Sequence, residues 1–538
     1  MATSRRWRSR LAAVLAAAAA LTLTAAGAVA ADSSGAGVAS WHRAGPVVRT
    51  DSGAVRGETL AQGFAFRGVP FAAPPTGRLR WRPPEPAPRW RGVVDATSYA
   101  PSCLQKPSLF TPPGPQSEDC LYLNVSTPTL WPGARRPVIV WIHGGGLTQD
   151  GALNYDGTDL ANQGAVVVTL NYRLGALGFL AHPALADRPG GPAGNYGLMD
   201  QQAALRWVQH NISRFGGDPH NVTIAGQSAG GLSVLAQLVS HDARGLFQRA
   251  IVQSGDFALT QLPLSSAEAF GTSYAAGVGC PDQTASCLRH LPATTLVNAF
   301  PDAAIPGVVD GKVLTESVGT ALAAGRFARV PMINGINTDE ELIFVAGLHL
   351  AVSNGQFVLA PTPTASTYAN VIASVLGVSA ARASAIAAEY PLAAYPDGDF
   401  ALSVVVSDAN FACPALQVDR WTSARVPTYA YQFDDGTAPP IFTGSPFYPV
   451  ATHSSEIQYL FGQPNAPHAA PLDGTQEALA AKMRAAWTRF AATGSPGSSS
   501  VPWPAFTGSS KVLSLLSPQP TVSTSFPSIH HCSFWAAG

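Results

Sequence analysis

The residues Gly226-Gln227-Ser228-Ala229-Gly230 form a G-x-S-x-G pattern, which can present a serine hydroxyl as a nucleophile. A strand-like stretch at 222–225 precedes the pattern, and an apolar stretch at 232–238 follows it. A strand, a tight turn and a helix in this order form a nucleophile elbow, because the flanking glycines let the backbone turn without steric collision. A glycine-rich turn with a solvent-facing serine is the competing interpretation. The context favours Ser228 as the nucleophile.

A second glycine-rich segment, His143-Gly144-Gly145-Gly146, directly follows a strand-like run at 138–142. A serine hydroxyl is a weak nucleophile at neutral pH, so it needs a general base and donors for the oxyanion that its attack creates. Three glycines allow backbone N–H groups to converge on one point, as in HGGG-type oxyanion motifs. A phosphate-binding loop is excluded, because Leu147-Thr148 stands where such a loop needs G-K-[ST].

The elements around both motifs predict an α/β protein. Short runs rich in β-branched residues occur at 138–142, 165–170, 222–225, 250–253, 330–333 and 428–431. Segments with helical spacing lie between or after them, at 203–215 and 478–490. Runs that are apolar on both faces indicate buried, mostly parallel strands covered by helices. Sites in such sheets form at the carboxyl ends of strands, where both glycine-rich motifs stand.

Further segments make the chain resemble the type-B carboxylesterase family, the cholinesterase/lipase group of α/β-hydrolases. They are Phe66-Arg67-Gly68-Val69-Pro70-Phe71-Ala72, Glu118-Asp119-Cys120-Leu121-Tyr122-Leu123-Asn124-Val125, Asn171-Tyr172-Arg173 and Phe215-Gly216-Gly217-Asp218-Pro219. The resemblance runs from about residue 53 to residue 535, and the chain is similar to secreted bacterial members. It implies an α/β-hydrolase fold, with a large, mostly parallel central sheet flanked by helices in a single large catalytic domain at 45–538.

The resemblance also assigns the partners of the nucleophile. The family's histidine lies in an H-x-x-E-[IL] segment, which His453-Ser454-Ser455-Glu456-Ile457 matches. Its acid lies in a D-E-G segment, matched by Asp339-Glu340-Glu341, so Glu340 is the expected acid. Glutamate replaces the usual glycine at 341, and from the residues alone Asp339 and Glu341 stay open. The order Ser228, Glu340, His453 agrees with that of α/β-hydrolases. By the same resemblance, the oxyanion donors are the N–H groups of Gly145, Gly146 and Ala229.

Six cysteines predict three disulfides in an exported chain. Fifteen connectivities are possible, but spacing favours Cys103–Cys120 and Cys280–Cys287, which leaves Cys413–Cys532. The family resemblance supports the same pairing. It also implies two structural ion pairs, Arg67 with Glu118 and Arg173 with Asp218.

The N-terminus predicts export. Four arginines (Arg5, Arg6, Arg8 and Arg10) precede an apolar run at 11–23, and Ala28-Val29-Ala30 follows. This is the pattern of a signal peptide cleaved near Ala30, followed here by a flexible leader at 31–44. A membrane anchor fits less well, because the apolar run is short and made mostly of alanine. Arg5-Arg6 leaves twin-arginine export open beside the general secretory route. We therefore expect a secreted protein without a stable membrane anchor.

Composition excludes several partners. The chain of 538 residues carries 33 basic and 33 acidic side chains and has no basic block, so nucleic acid is not an expected partner. The cysteines include no C-x-x-C, and no cluster has the spacing of a zinc site. The implied acyl-transfer chemistry requires no metal or organic cofactor, and a monomer is expected.

These residues together predict a carboxylic-ester hydrolase that acts on a small-molecule or lipid ester. Cholinesterases carry a carboxylate beside the nucleophile and a tryptophan in the first disulfide loop, whereas this chain has Gln227 and no tryptophan between 103 and 120. A cation–π cage is therefore not expected, and uncharged esters are favoured. A lipase or polyester hydrolase acting at an interface is the alternative within the same fold. A catalytically silent extracellular binding protein is the alternative in another class, against which the intact Ser228, Glu340 and His453 argue.

Overall fold

An eleven-stranded mixed sheet organises the protein in the computed structural model. The structure describes residues 45–108, 111–186, 193–301, 307–353, 356–359, 362–441, 450–462, 471–508, 511–516 and 519–537. The predicted signal peptide at 1–30 and leader at 31–44 lie outside the described residues.

The strands, in chain order, are Val47–Arg49 (β1), Ala54–Arg56 (β2), Glu58–Thr59 (β3), Phe64–Pro70 (β4), Val93–Asp95 (β5), Ser102–Cys103 (β6), Gln116–Ser117 (β7), Tyr122–Thr127 (β8), Arg136–Ile142 (β9), Val166–Leu170 (β10), Gly217–Gln227 (β11), Arg249–Gln253 (β12), Leu262–Pro263 (β13), Val308–Val309 (β14), Met332–Asn337 (β15), Leu350–Ser353 (β16), Gln356–Leu359 (β17), Thr428–Phe433 (β18), Val512–Leu515 (β19) and Thr521–Ser523 (β20).

The α-helices are Thr158–Asn162 (α1), Gly175–Phe179 (α2), Tyr196–Asn211 (α3), Ala229–Val239 (α4), Leu264–Gly277 (α5), Ala285–His290 (α6), Ala293–Ala299 (α7), Val318–Ala323 (α8), Leu342–His349 (α9), Tyr368–Leu376 (α10), Ala380–Glu389 (α11), Gly398–Ser407 (α12), Cys413–Ser423 (α13), Ile457–Leu460 (α14), Gly474–Thr493 (α15), Phe526–Ile529 (α16) and Cys532–Ala536 (α17). A π-helical turn, Asp408–Ala412, joins α12 to α13.

The large sheet runs in the order β20-β19-β18-β15-β12-β11-β9-β10-β8-β4-β3. The strands from β19 to β10 are parallel to one another, and the strands beyond them at both edges are antiparallel. The mostly parallel sheet predicted from the sequence is therefore confirmed. Each predicted run lies within or overlaps one of these parallel strands.

Helices cover both faces of the sheet, as the runs of buried residues predict. Along β9, Val138, Val140 and Ile142 belong to a core that includes residues of α3 and α4. Ile139 and Trp141 belong to a second core built largely with α15. Alternate residues of one strand thus face opposite layers, which explains why the strand is apolar throughout.

Helices α10, α11 and α12 have a smaller core of their own. Buried side chains of α10, α11 and α12 pack together, and Phe534 and Trp535 lie against them. The stretch Gly398–Ser423 is long and apolar enough to cross a membrane by length and composition, with 67 % of its apolar window buried in the protein. Its apolar side chains therefore serve internal packing in this structure.

The structure joins the cysteines as Cys103–Cys120, Cys280–Cys287 and Cys413–Cys532, the pairing that spacing favours. The two expected ion pairs, in contrast, are wrong. Arg67 pairs with Glu58, its neighbour across the β3–β4 hairpin, while Glu118 binds Arg80. Arg173 pairs with Asp200 on α3, and Asp218 binds the exposed Arg135. Arg67 therefore binds across a hairpin and Arg173 binds a helix, and the family resemblance did not predict either partner.

Candidate active site

Ser228 occupies a strained turn between β11 and α4. Its backbone has φ 57° and ψ −126°, values that a non-glycine residue adopts only when the surrounding structure enforces them. The Ser228 N–H donates to the Gln253 carbonyl of β12 at 2.8 Å, and the Ser228 carbonyl accepts from Leu232 N–H at 2.9 Å. The predicted strand–turn–helix around the serine is thus present.

The glycines of the turn permit close approach between backbones. A Cβ atom at Gly230 would lie 2.0 Å from the Ile142 carbonyl oxygen, so no other residue fits there without displacing β9. Gly226 of β11 is in register with Ile142 of β9. This contact places the start of α4 against the end of the strand that leads into the HGGG segment.

His453 and Glu340 form a buried pair, although 113 residues separate them in the chain. Nδ1 of His453 lies 2.5 Å from Oε2 of Glu340, and the other carboxylate oxygen accepts from Ser254 Oγ at 2.5 Å. The Asn337 N–H also donates to that second oxygen, at 2.8 Å. Both carboxylate oxygens are therefore held by donors, which fixes the orientation of the imidazole.

The neighbouring acids face elsewhere. Glu341 donates its N–H to Ser407 Oγ at 2.9 Å, and its side chain faces Asn410. Asp339 forms a backbone bridge with Thr452. Burial raises the pKa of Glu341 to about 7 and that of Asp339 to about 6, with neighbouring carboxylates adding to the effect. Of the three candidate acids, Glu340 is the one that the structure brings to Nδ1 of His453.

The electrostatics around His453 favour its protonated form. Burial alone lowers the pKa of His453, but the charge and hydrogen bond of Glu340 outweigh burial and raise the pKa above 6.5. Glu456, fully buried nearby, accepts from Gln253 and Asn337, and burial raises its pKa to about 7. The site therefore stabilises an imidazolium as it forms.

The second ring nitrogen of His453 is bound by Gln227. Nε2 of His453 lies 3.1 Å from Nε2 of Gln227, whose amide donates to it when Nδ1 carries the proton. Among the described residues, Ser228 Oγ makes no hydrogen bond, so the structure does not itself join the serine to the histidine. Sequence reasoning identified Gln227 as the neighbour of the nucleophile but missed this contact.

The HGGG segment lies beside Ser228. A Cβ at Gly144 would be 3.2 Å from Ser228 Cβ, and Tyr172 donates its hydroxyl to the His143 carbonyl at 2.9 Å. Gly145 and Gly146 adopt positive φ angles of 80° and 63°. In the described part of the chain, the N–H groups of Gly145, Gly146 and Ala229 donate no backbone hydrogen bond. Such unpaired N–H groups can bind an oxyanion.

Aromatic rings pack on the histidine. The ring centroid of Phe344 lies 5.1 Å from that of His453, and Phe411 of the π-helical turn lies 5.3 Å away. Sequence reasoning missed both, because neither ring is adjacent to a motif. Ser254 was also missed, although its place directly after β12 was a usable signal, since sites form at strand ends.

One group of possible metal ligands occurs within the described ranges, Cys280, Asp282 and Cys287. Both cysteines belong to one disulfide, so neither sulfur is available to a metal ion.

Comparisons with known proteins agree with this geometry. The family model described as Carboxylesterase family matches residues 44–535. A cocaine esterase of Oryctolagus cuniculus is 36 % identical over 529 residues, covering 91 % of this chain and 96 % of the relative. A fumonisin B1 esterase of Sphingopyxis macrogoltabida is 36 % identical over 490 residues, covering 86 % and 84 %. An acetylcholinesterase of Bungarus fasciatus is 33 % identical over 543 residues, covering 92 % and 86 %.

A solved structure of a PNB esterase superposes with a TM-score of 0.76 at 32 % identity, covering 90 % of this chain and 98 % of that one. A second PNB esterase structure gives a TM-score of 0.75 with the same identity and coverage. The α/β-hydrolase fold expected from the sequence is confirmed.

Proposed function

The chain belongs to the carboxylesterase family, and from that membership we propose that it cleaves uncharged carboxylic esters through an acyl-enzyme on Ser228. Carboxylic ester hydrolysis is the activity that the family and its esterase relatives establish. The proposal adds three points to this activity. It names the residues that carry out the reaction, it states that the substrate is uncharged, and it states that the mature catalytic domain is exported with its disulfides formed. The observation that carries it is the 2.5 Å pair between His453 and Glu340, in which His453 also contacts Gln227, the residue before the strained Ser228.

In the first step, Ser228 Oγ attacks the ester carbonyl carbon while Nε2 of His453 accepts the hydroxyl proton. For this transfer, the serine hydroxyl takes the position on Nε2 that the Gln227 amide holds in the structure. Glu340 stabilises the resulting imidazolium through Nδ1. The carbonyl oxygen becomes an oxyanion and binds the N–H groups of Gly145, Gly146 and Ala229.

Collapse of this intermediate breaks the bond to the alcohol, which leaves with the proton from His453. Water then attacks the acyl-enzyme with His453 again as base, and the acid product leaves as Ser228 regains its proton. Both halves of the reaction use the same donors and the same base. These residues complete the reaction without a further reactant besides water.

The surroundings of the base support an uncharged substrate. Gln227 supplies a neutral amide beside Nε2 of His453, where a carboxylate would attract a cation. The exported state is supported by three disulfides, which persist in oxidising compartments.

The test measures the purified, oxidised mature chain on p-nitrophenyl acetate, butyrate, octanoate and palmitate. Ser228→Ala is compared with Ser240→Ala, a buried serine at the other end of α4. We expect Ser228→Ala to lose on the order of 10⁴-fold or more in kcat and Ser240→Ala to stay near wild type. Equal turnover by wild type and Ser228→Ala refutes the proposal.

The same series separates the alternatives. A preference for palmitate and for tributyrin emulsions over dissolved short esters favours a lipase or polyester hydrolase at an interface. A wild-type chain that is inert on every ester favours the extracellular binding protein.

A further inference from the structure

The segment 143–151, here called the oxyanion loop, is held in an unusual backbone conformation. Gly145, Gly146, Leu147 and Asp150 all have positive φ angles, of 80°, 63°, 62° and 83°. Two of these four are not glycine, so the surrounding contacts must stabilise a conformation that L-residues rarely adopt. The oxyanion loop therefore needs contacts that hold it in this conformation.

Asp150 makes hydrogen bonds that can hold the loop, through both its side chain and its backbone. Its Oδ1 accepts from Gly151 N–H at 2.7 Å and from Asn154 Nδ2 at 2.8 Å. Its Oδ2 accepts from the Tyr155 hydroxyl at 2.6 Å. The backbone of Asp150 is bound twice by Gln105, whose amide accepts from Asp150 N–H at 2.7 Å and donates to Asp150 O at 2.9 Å.

Hydrogen bonds stabilise the negative charge of the Asp150 carboxylate. Asp150 is only 5 % exposed, and no lysine or arginine forms an ion pair with it among the described residues. His143 Nδ1 lies 4.0 Å from Oδ2, but burial lowers the pKa of His143 to about 3, so it is neutral. Burial raises the pKa of Asp150 to about 6, and the carboxylate is therefore ionised at pH 8.

Asp150 also packs against Gly145, one of the proposed oxyanion donors. A Cβ at Gly145 would lie 2.8 Å from Asp150 Cβ and 2.2 Å from the Gln149 carbonyl oxygen. The Gly145 carbonyl accepts from both Thr148 N–H and Gln149 N–H at 3.0 Å. Gly145 is thus enclosed by the segment that Asp150 anchors, while the adjacent Gly144 touches Ser228.

We propose that Asp150 is a positioning residue for the oxyanion hole, since its buried carboxylate holds the loop 143–151 so that the Gly145 and Gly146 N–H groups point toward the substrate carbonyl oxygen. The inference rests on the proposed function, because it requires an oxyanion beside Ser228. Donors that are fixed in advance stabilise the transition state more than the bound ester. Asp150 therefore acts on kcat and leaves KM nearly unchanged.

The experiment compares wild type with Asp150→Ala, Asp150→Gly, Asp150→Asn and Tyr155→Phe at pH 8. It measures kcat and KM on p-nitrophenyl butyrate, and Ki for an alkyl trifluoromethyl ketone, whose serine adduct places an oxyanion in the hole. Asp310→Ala is the matched control, because Asp310 is 6 % exposed and also accepts three hydrogen bonds, from the N–H groups of Lys312, Val313 and Leu314.

We expect Asp150→Ala and Asp150→Gly to lose roughly 10- to 100-fold in kcat, a fraction of what removal of an oxyanion donor costs, with KM within about threefold. The Ki of the ketone rises by the same factor as kcat/KM falls. Asparagine keeps the Oδ1 acceptor and tolerates positive φ, so Asp150→Asn retains most of the activity. Tyr155→Phe, which leaves Asp150 in place, gives an intermediate loss.

Several outcomes overturn the inference. If Asp150→Gly is as active as wild type, the carboxylate has no positioning role. If Asp150→Ala and Asp310→Ala lose activity alike with no change in ketone affinity, Asp150 contributes only to folding. If Asp150→Ala does not fold, Tyr155→Phe serves as the test in its place. An unchanged kcat and Ki in Tyr155→Phe then refute the inference. Loss of turnover in Ser228→Ala under these conditions keeps the proposed function intact, whereas an active Ser228→Ala removes both.

Discussion

Gln227 binds Nε2 of His453 at 3.1 Å, while Glu340 binds Nδ1 of the same ring at 2.5 Å. The imidazole is thereby fixed at both nitrogens by side chains from two different strand ends. Because the carboxylate can only accept, the proton lies on Nδ1 and the lone pair on Nε2. When His453 is neutral, the site therefore holds the tautomer that a general base requires.

The assignment of the acid can be tested against its two neighbours. We expect Glu340→Gln to lower kcat by about 10³-fold or more, because an amide no longer stabilises the imidazolium and can hold the wrong tautomer. Asp339→Asn and Glu341→Gln leave His453 Nδ1 bound to Glu340, so their losses are far smaller. Steady-state rates of the three variants on p-nitrophenyl butyrate check this. A larger loss in either neighbour than in Glu340→Gln contradicts the assignment.

The pH dependence follows from the raised pKa of His453. The base acts only when neutral, so kcat/KM increases with pH as His453 loses its proton. Since the Glu340 interactions outweigh burial, the midpoint of this rise lies above pH 6.5. In Glu340→Gln the residual activity reaches its midpoint at lower pH, because the charge that raises the pKa is gone. A rate that is flat from pH 5 to 9 is incompatible with His453 as the base.

Gln227 gives a test of substrate charge. Gln227→Glu places a carboxylate beside Nε2 of His453, which raises the pKa of the base and attracts cations. We expect kcat/KM for butyrylcholine, relative to its neutral isostere 3,3-dimethylbutyl butyrate, to increase by about 3- to 10-fold at low salt. Gln227→Met is the uncharged control and leaves that ratio near the wild-type value. An unchanged ratio in Gln227→Glu shows that position 227 does not select substrate charge.

Two further buried carboxyls, Asp256 and Asp419, lie near Asn334. Asp256, Asn334 and Asp419 come from the turn after β12, from β15 and from α13, and all are buried. Asn334 donates to Asp419 at 3.1 Å, and neither carboxylate forms an ion pair with a cation in the described part of the chain. Burial raises the pKa of Asp256 to about 7, and it raises the pKa of Asp419 well above 3.8.

These carboxyls bind protons more tightly in the folded chain than in the unfolded chain. The free energy of unfolding therefore falls as pH rises from about 4 through 7, where Asp256 loses its proton in the native state. We expect Asp256→Asn to stabilise the protein on the order of 2 kcal/mol at pH 8 and much less at pH 5. Urea unfolding at both pH values measures the difference, with Asp242→Asn, an exposed acid, as control. A gain that is equal at both pH values argues against ionisation as the cause.

The disulfides differ in the length of chain that they close. Cys413–Cys532 spans 119 residues and Cys280–Cys287 spans 7. In the chain-entropy model the longer bridge contributes about 5 kcal/mol and the shorter about 2.5 kcal/mol. We expect the Cys413→Ser, Cys532→Ser double variant to unfold at lower urea concentration than Cys280→Ser, Cys287→Ser. Equal midpoints indicate that strain or residual structure in the unfolded chain dominates instead.

Sequence patterns predicted the strands, the nucleophile elbow and the HGGG segment because each depends on residues that are adjacent in the chain. The choice of Glu340 as the acid required the family resemblance, because three consecutive carboxylates offer the same local chemistry. Contacts between distant residues were not predictable in this way. The contact of Gln227 with His453, 226 residues away, was therefore missed. The family resemblance also assigned Arg67 and Arg173 to the wrong carboxylates, because their partners lie across a hairpin and on α3, where no motif marks them.

The register of β9 with β11 has a consequence for how this protein can change. Because Gly226 pairs with Ile142, Ser228 and the glycines at 144–146 follow adjacent strands, and their separation is set by the spacing of the sheet. The Phe344 ring on His453 belongs to α9, and the Phe411 ring belongs to the π-helical turn, where it packs with Ile336 of β15 and Ala430 of β18. Helices α10, α11 and α12, in contrast, have a core apart from those of the sheet. Evolution or a directed library can therefore vary α10, α11 and α12 while the strands that lead to Ser228 and to the glycines at 144–146 keep their register. The sheet thus conserves the geometry at Ser228, while the helices outside it are free to diverge in sequence.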